Sequence, residues 1–155
     1  MQPSPVILLN PFCWEVPAWK RFFVVAGLWN WLGAVPLLLL PNLALRGFYR
    51  YENPDFMIFC LHESFWIAVL LLGLGYFIVA ADPRRHAGIV FMGIVGKSSV
   101  AIAWTALFFQ GRATALVLLA ASGDTLFTLF FILFLVHGIR NTPMIAYRRS
   151  VDAGS

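Results

Sequence analysis

Long apolar segments separated by short polar ones dominate the pattern of this chain. Four of these segments extend over about Arg21 to Leu40, Phe56 to Ala81, Ala87 to Phe109 and Ala113 to Gly138. An α-helix needs about 20 predominantly apolar residues to cross the roughly 30 Å of hydrocarbon in a bilayer. The pattern therefore predicts four transmembrane helices.

The polar residues between these segments predict where each helix begins and ends. Asn53 followed by Pro54 is typical of an N-cap and a first helical position, and Asp82 is expected to end the second span and cap the third. Residues 110–112 form a short Gln-Gly-Arg turn, which favours antiparallel packing of the third and fourth spans. Pro36 predicts a kink or a loosened last turn in the first span.

The composition supports a membrane location. Hydrophobic residues make up 61% of the 155 positions and charged residues only 12%, whereas a soluble domain is about half apolar. Fifteen Phe and six Trp suit lipid-facing surfaces and interfacial belts. We expect an all-α membrane protein built as a four-transmembrane-helix antiparallel bundle.

The distribution of basic residues predicts the orientation of the bundle. One set of flanks carries Lys20, Arg21, Arg84, Arg85, Arg140, Arg148 and Arg149, and the other carries Arg46, Arg50 and Arg112. By the positive-inside rule, both termini are cytoplasmic and the polar connection from Pro41 to Asp55 faces outward. Because the net charge of +4 comes largely from these flanks, we expect contact with lipid headgroups and no binding of nucleic acid.

Three regions follow from these boundaries. Residues 1–19 are rich in proline and aromatic residues and are expected to lie along the membrane interface, where they would form an ordered coil or a partner-docking arm. Residues 20–139 form the four-helix transmembrane domain. Residues 140–155 form a basic cytoplasmic tail.

Three polar residues are expected near the middle of the membrane. At 1.5 Å per residue, Lys97 lies roughly 15 Å inside the third span, and Asp124 roughly 16 Å inside the fourth span from the opposite surface. Asn30 is about nine residues into the first span on the same count. Small residues beside each of them would let the helices approach closely and hold the polar groups across an interface.

Two interpretations of this trio are open. A charge at the bilayer centre costs about 2.5 to 3.5 kcal/mol on insertion scales, so Lys97 and Asp124 are expected to pair, with Asn30 satisfying remaining hydrogen bonds. The pair would then fix the register of the helices. Alternatively, it contacts the polar end of a ligand or relays a proton, because ionisable groups inside membranes often mark such sites.

Aromatic residues provide a second candidate site. Trp29, Trp104 and Tyr76, together with Trp31 and Trp66, could line an apolar pocket, although aromatic residues at helical spacing also serve packing and lipid contact.

Other chemical signals are weak. The acidic group around His62 and Glu63 matches no strong metal-ligand spacing and is better explained as a solvated helix mouth, so no metal site is predicted. No catalytic triad, phosphate-binding loop or zinc protease motif is present, which favours a non-enzymatic role. The sequence requires no cofactor, while a bound lipid or quinone would suit the midplane site.

Short motifs on all four spans carry a resemblance to known proteins. They are Trp29-Asn30, Asp82-Pro83, the segment Gly93-Ile94-Val95-Gly96-Lys97, and Gly123-Asp124 with the Phe-rich run that follows. Over about residues 20–138, the chain resembles small four-helix proteins of bacterial inner membranes and is similar in outline to the DoxX-like group. The resemblance implies a membrane subunit that works with quinone-linked oxidoreductases, and therefore a partner.

The expected function is that of a non-catalytic accessory or stabilising subunit of a larger membrane complex, which carries out electron transfer if the resemblance holds. The alternative is a protein that binds a quinone, an isoprenoid or a lipid at Lys97 and Asp124. Either function places the chain as a multi-pass protein in a bacterial inner membrane. Its expected partners are membrane lipids and other membrane subunits or further copies of itself.

Overall fold

The computed structural model describes residues 16–139, and every regular element in that range is helical. We label the five α-helices α1 (Val16–Leu39), α2 (Pro41–Tyr49), α3 (Phe56–Ala81), α4 (Ala87–Phe109) and α5 (Leu116–Leu133). A π-helical turn, Phe134–Gly138, continues α5. Most of the predicted N-terminal segment and the basic tail lie outside the described residues.

Four helices are long and apolar enough to cross a membrane: α1, α3, α4, and α5 with its π-helical turn. Large apolar side chains such as Leu32, Ile102 and Leu119 are exposed on their outer surfaces. This surface would be unfavourable in water and is suited to contact with lipid. The all-helical prediction is confirmed for the described residues, and the structure is compatible with a multi-pass membrane protein.

The bundle is built from two closely packed helix pairs. In the first pair, Gly27, Asn30 and Leu37 of α1 contact Phe77, Val69 and His62 of α3, respectively. The residue numbers rise along α1 and fall along α3, so the contacts follow opposite orders along the two helices. The second pair is α4 with α5, where Gly93 contacts Phe131 and Lys97 contacts Asp124. Glycine permits the close approach at Gly27 because a Cβ there would overlap the ring of Phe77.

A polar layer separates two apolar cores. The phenylalanine cluster comprises Trp19, Phe23, Ala26, Tyr76, Val79, Ala80, Val90, Phe131 and Phe134. The tryptophan cluster comprises Ala34, Trp66, Ala101, Trp104, Ala113, Val117 and Ala121. On α1, α4 and α5, one residue of the polar trio Asn30, Lys97 and Asp124 lies between the residues of the two clusters. The trio therefore occupies one level of the bundle.

Helix α2 was missed at the sequence level, where Pro41 to Asp55 was expected to be a polar connection. Pro41 occupies the first turn of α2, a position that tolerates proline because its missing amide hydrogen would have no partner there. Ala44 and Leu45 are buried against the bundle, whereas Leu43 and Arg46 are exposed. Helix α2 is therefore short and amphipathic.

The helix ends also differ from the predicted ones. The N-cap of α3 is Asp55, not Asn53, and its carboxylate accepts a hydrogen bond from the amide of Ile58 at 2.9 Å. Asp82 ends α3 as predicted, but its carboxylate bonds the amide of Arg85 at 3.3 Å, and α4 begins after His86 without a side-chain cap.

The first and last spans also have shifted boundaries. Helix α1 begins at Val16, ahead of the expected start at Arg21, because Pro17 falls in its first turn, where proline does not interrupt a helix. It continues through Pro36 and ends at Leu39. Helix α5 begins at Leu116 and not at Ala113, since Thr114 bonds to α2 instead of continuing the helix.

Candidate functional site

The polar layer is built around a buried ion pair. The Nζ atom of Lys97 lies 2.6 Å from Oδ1 of Asp124, and the side chains are only 5% and 15% exposed. Lys97 also donates a hydrogen bond to Oδ1 of Asn30 at 2.9 Å. The structure thus brings together the three residues that the sequence placed at one depth.

Backbone and indole groups hold this trio in place. The side-chain nitrogen Nδ2 of Asn30 donates to the backbone carbonyl of Val69 on α3 at 3.2 Å. This bond directs Oδ1 of Asn30 toward Lys97. The indole nitrogen of Trp29 donates to Oδ1 of Asp124 at 3.3 Å. Gly123 makes room for this ring, because a Cβ at that position would overlap Trp29. Hydrogen bonds to a carboxylate are stronger than those between neutral groups, so Asp124 is held firmly.

Each charge of the pair retains hydrogen-bonding capacity. A lysine ammonium has three N–H donors, and Lys97 uses two of them within the described residues. Oδ1 of Asp124 accepts both bonds to that carboxylate, from Lys97 and Trp29, and the hydrogen bonds of residues 16–139 leave Oδ2 without a donor. One donor and one acceptor of the ion pair therefore remain unused within these residues.

An apolar cavity of about 420 Å³ begins at the ion pair and extends into the tryptophan cluster. Its polar end is formed by Asn30, Lys97 and Asp124, with Trp29 beside them. The aromatic side chains Phe48, Phe65, Trp66 and Trp104 line part of the remainder, and aliphatic side chains such as Leu37, Val69 and Leu119 line the rest. The indole nitrogen of Trp66 is buried and has no hydrogen-bond partner in the described part of the chain.

The predicted pocket residues are divided by the polar layer. Trp29 and Trp104 line the cavity, as does Trp66. Tyr76 does not, because it lies in the phenylalanine cluster on the other side of Lys97, with its ring centroid 6.0 Å from Nζ. Trp31 instead bonds the carbonyl of Leu70 at 3.1 Å. Tyr76 therefore packs beside the site and does not line the cavity.

Helix α2 closes the cavity at the end remote from the ion pair. Phe48 lines the cavity, and the neighbouring Tyr49 accepts a 2.9 Å hydrogen bond from the indole nitrogen of Trp104. Thr114 donates to the carbonyl of Gly47 at 2.5 Å through its hydroxyl and to that of Phe48 at 2.8 Å through its amide. Burial raises the pKa of Tyr49, and the bond from Trp104 opposes this effect, so the phenol stays protonated.

His62 is buried and bonded, which corrects the expectation of a solvated helix mouth at that residue. Its Nε2 lies 3.0 Å from the carbonyl of Leu37. Because a carbonyl only accepts, Nε2 carries the proton. Pro41, four residues after Leu37, has no amide hydrogen to donate to that carbonyl, and His62 takes its place. His62 thus joins α3 to the break between α1 and α2.

Sequence reasoning did not identify Phe48 and Phe65 as cavity residues. Phe48 lies on the unexpected helix α2, and Phe65 is one of many aromatic residues on the spans. Among residues 16–139, no group of three or more His, Cys, Asp or Glu side chains could hold a metal ion. The candidate site is an ion pair at the end of an apolar cavity.

Comparisons with protein-family models, curated proteins and solved structures gave no match to this chain.

Proposed function

We propose that this chain is a multi-pass protein of a bacterial inner membrane that binds a lipid-soluble amphiphile, such as a quinone, an isoprenoid or another lipid, in the cavity. The polar end of the ligand contacts Lys97 and Asp124, and its apolar body lies among the aromatic side chains. The single observation that carries this proposal is that the apolar cavity ends at the buried ion pair.

The properties of the cavity support this function. Its volume of about 420 Å³ falls in the range of about 300–1,000 Å³ that is typical of small-molecule sites, which combine apolar walls with a few polar groups.

The rim of the cavity offers a route from the lipid phase. Leu32 of α1 and Leu119 of α5 both line the cavity, yet they are 73% and 67% exposed on the outer surface of the bundle. A hydrophobic molecule dissolved in the bilayer would reach the cavity between these two helices. Part of a long tail would remain in the surrounding lipid.

Our proposed topology is an antiparallel bundle with both termini in the cytoplasm. The opposite order of contacts along α1 and α3 supports the antiparallel arrangement, and the basic flanks support the orientation. A fluorescent protein fused after Ser155 should fluoresce, whereas alkaline phosphatase fused there should be inactive. An active phosphatase at that position would reverse the topology.

An accessory role in a larger complex, as the DoxX-like resemblance implies, is the second candidate. Trp29 and Trp31 lie near the middle of α1 and are each 40% exposed. Tryptophan is enriched at membrane interfaces and not at the centre of the hydrocarbon, so a protein surface is a favourable neighbour for these two rings. A partner subunit or a second copy of the chain would provide it.

Native mass spectrometry of the gently extracted protein tests both candidates. We expect a bound lipid-soluble molecule that survives in Ala103→Phe, whose side chain faces outward, and is lost in Ala120→Phe, which fills the cavity. Equal retention in the two variants would contradict binding in the cavity. Stoichiometric partner chains would favour the accessory role, and their absence would count against it.

A further inference from the structure

We infer that the polar end of the ligand is an uncharged group that both accepts and donates a hydrogen bond, as a hydroxyl does. The inference rests on the proposed ligand-binding function and specifies the chemical class of the ligand. It excludes fatty acids, phospholipids and amines as the preferred occupants. It favours alcohols and phenols, including the reduced, hydroxylated forms of ring compounds.

The charges around the site disfavour an ionised group on the ligand. Lys97 and Asp124 lie 2.6 Å apart and together carry no net charge. Among residues 16–139, they are also the only two charged residues that line the cavity. An anionic group would be attracted by Lys97 but repelled by Asp124 at nearly the same distance, and a cation would meet the reverse. Without a net attraction, neither ion recovers the cost of leaving water.

The unused hydrogen-bonding positions of the ion pair favour a hydroxyl group on the ligand. Lys97 has one N–H donor left, and Oδ2 of Asp124 has an acceptor position left. A hydroxyl oxygen accepts from the first, and its hydrogen is donated to the second. An ether or a carbonyl would satisfy only Lys97 and would leave Oδ2 of Asp124 without a donor, which is costly away from water.

The walls of the cavity indicate what the hydroxyl is attached to. Phe65, Trp66 and Trp104 line the cavity, and their ring centroids lie 4.9 to 6.1 Å from one another. Aromatic groups pack favourably with other rings over distances of about 4.5–7 Å. A hydroxylated ring or an unsaturated chain would therefore pack favourably against this aromatic part of the wall, beside the leucine and valine side chains that line the rest.

Competition among probes that differ only at the polar end tests this inference. The full-length protein in nanodiscs is exposed to para-nonylphenol, its methyl ether, para-nonylbenzoate and para-nonylbenzylammonium, each at a known mole fraction in the lipid. Occupancy is read by native mass spectrometry. We expect the phenol to bind at least about tenfold more tightly than the other three probes, the factor that corresponds to one lost hydrogen bond to a charged group.

Hydrophobicity alone predicts a different order, because the methyl ether is more apolar than the phenol. Asp124→Asn provides a matched control: its amide nitrogen donates where Oδ2 accepts, so the phenol and the ether should bind about equally. Equal or tighter binding of the benzoate or the ammonium to the wild type would overturn the inference. The proposed function itself fails if Ala120→Phe, whose side chain fills the cavity, binds every probe as tightly as the wild type and Ala103→Phe do.

Discussion

Replacing Lys97 with alanine is expected to lower the free energy of unfolding by about 3–5 kcal/mol, because the change leaves Asp124 charged and unpaired in the interior. Asp124→Ala should lower the free energy of unfolding by a similar amount, because it leaves the ammonium of Lys97 without its carboxylate partner. The double variant removes both charges and should be less destabilised than either single variant. The pair therefore matters to stability mainly through the cost of separating its members.

Reversible unfolding in mixed micelles, followed by circular dichroism, provides the four free energies of this double-mutant cycle. Asn30→Ala is a useful companion, because it removes one hydrogen bond from Lys97 but no charge, and its loss should be smaller. If the losses from Lys97→Ala and Asp124→Ala simply added in the double variant, the two residues would not interact in the folded protein.

Gly93→Ala is expected to destabilise the bundle by about 1–3 kcal/mol through overpacking. A Cβ at this position would lie 2.5 Å from the hydroxyl oxygen of Tyr76 and 2.9 Å from Cε2 of Phe131. Both side chains are fully buried in the phenylalanine cluster and have little room to move. Helix α4 would have to move away from both α3 and α5 to accept the methyl group.

Gly88→Ala is the matched control, because it is on the same helix and a Cβ there has nothing within 4 Å. The control should unfold at or slightly above the wild-type denaturant concentration, because alanine favours the helix more than glycine does, while Gly93→Ala should unfold at a lower one. Equal midpoints for the two variants would show that α4 does not approach Tyr76 as closely as the structure indicates.

The four long apolar helices were predictable because apolar segments of this length have few alternatives to a helix that can cross a membrane. The depth of the polar trio was also predictable, since every residue of an α-helix adds the same rise. Counting from the ends of the spans therefore placed Lys97, Asp124 and Asn30 at one level, where the structure joins them.

The cavity could not be derived in the same way. Its shape depends on the rotation of each helix about its axis and on α2, a helix too short to stand out in the sequence. Tyr76 and Trp104 are both aromatic, but they lie on opposite sides of the polar layer. The position of a residue along its helix does not show on which side of Lys97 its side chain packs. His62 donates to the carbonyl of Leu37 because Pro41 has no amide hydrogen to do so. The sequence does not show that His62 and Leu37 are close together.

The most direct test of the proposed binding site is a high-resolution structure of the protein in native lipid discs, bound by an antibody fragment. We predict continuous density that begins within hydrogen-bonding distance of Lys97 and Asp124, runs along the faces of Trp66 and Trp104, and leaves the bundle between Leu32 and Leu119. A cavity filled by repacked side chains around an intact ion pair would contradict ligand binding and leave the pair with a structural role alone.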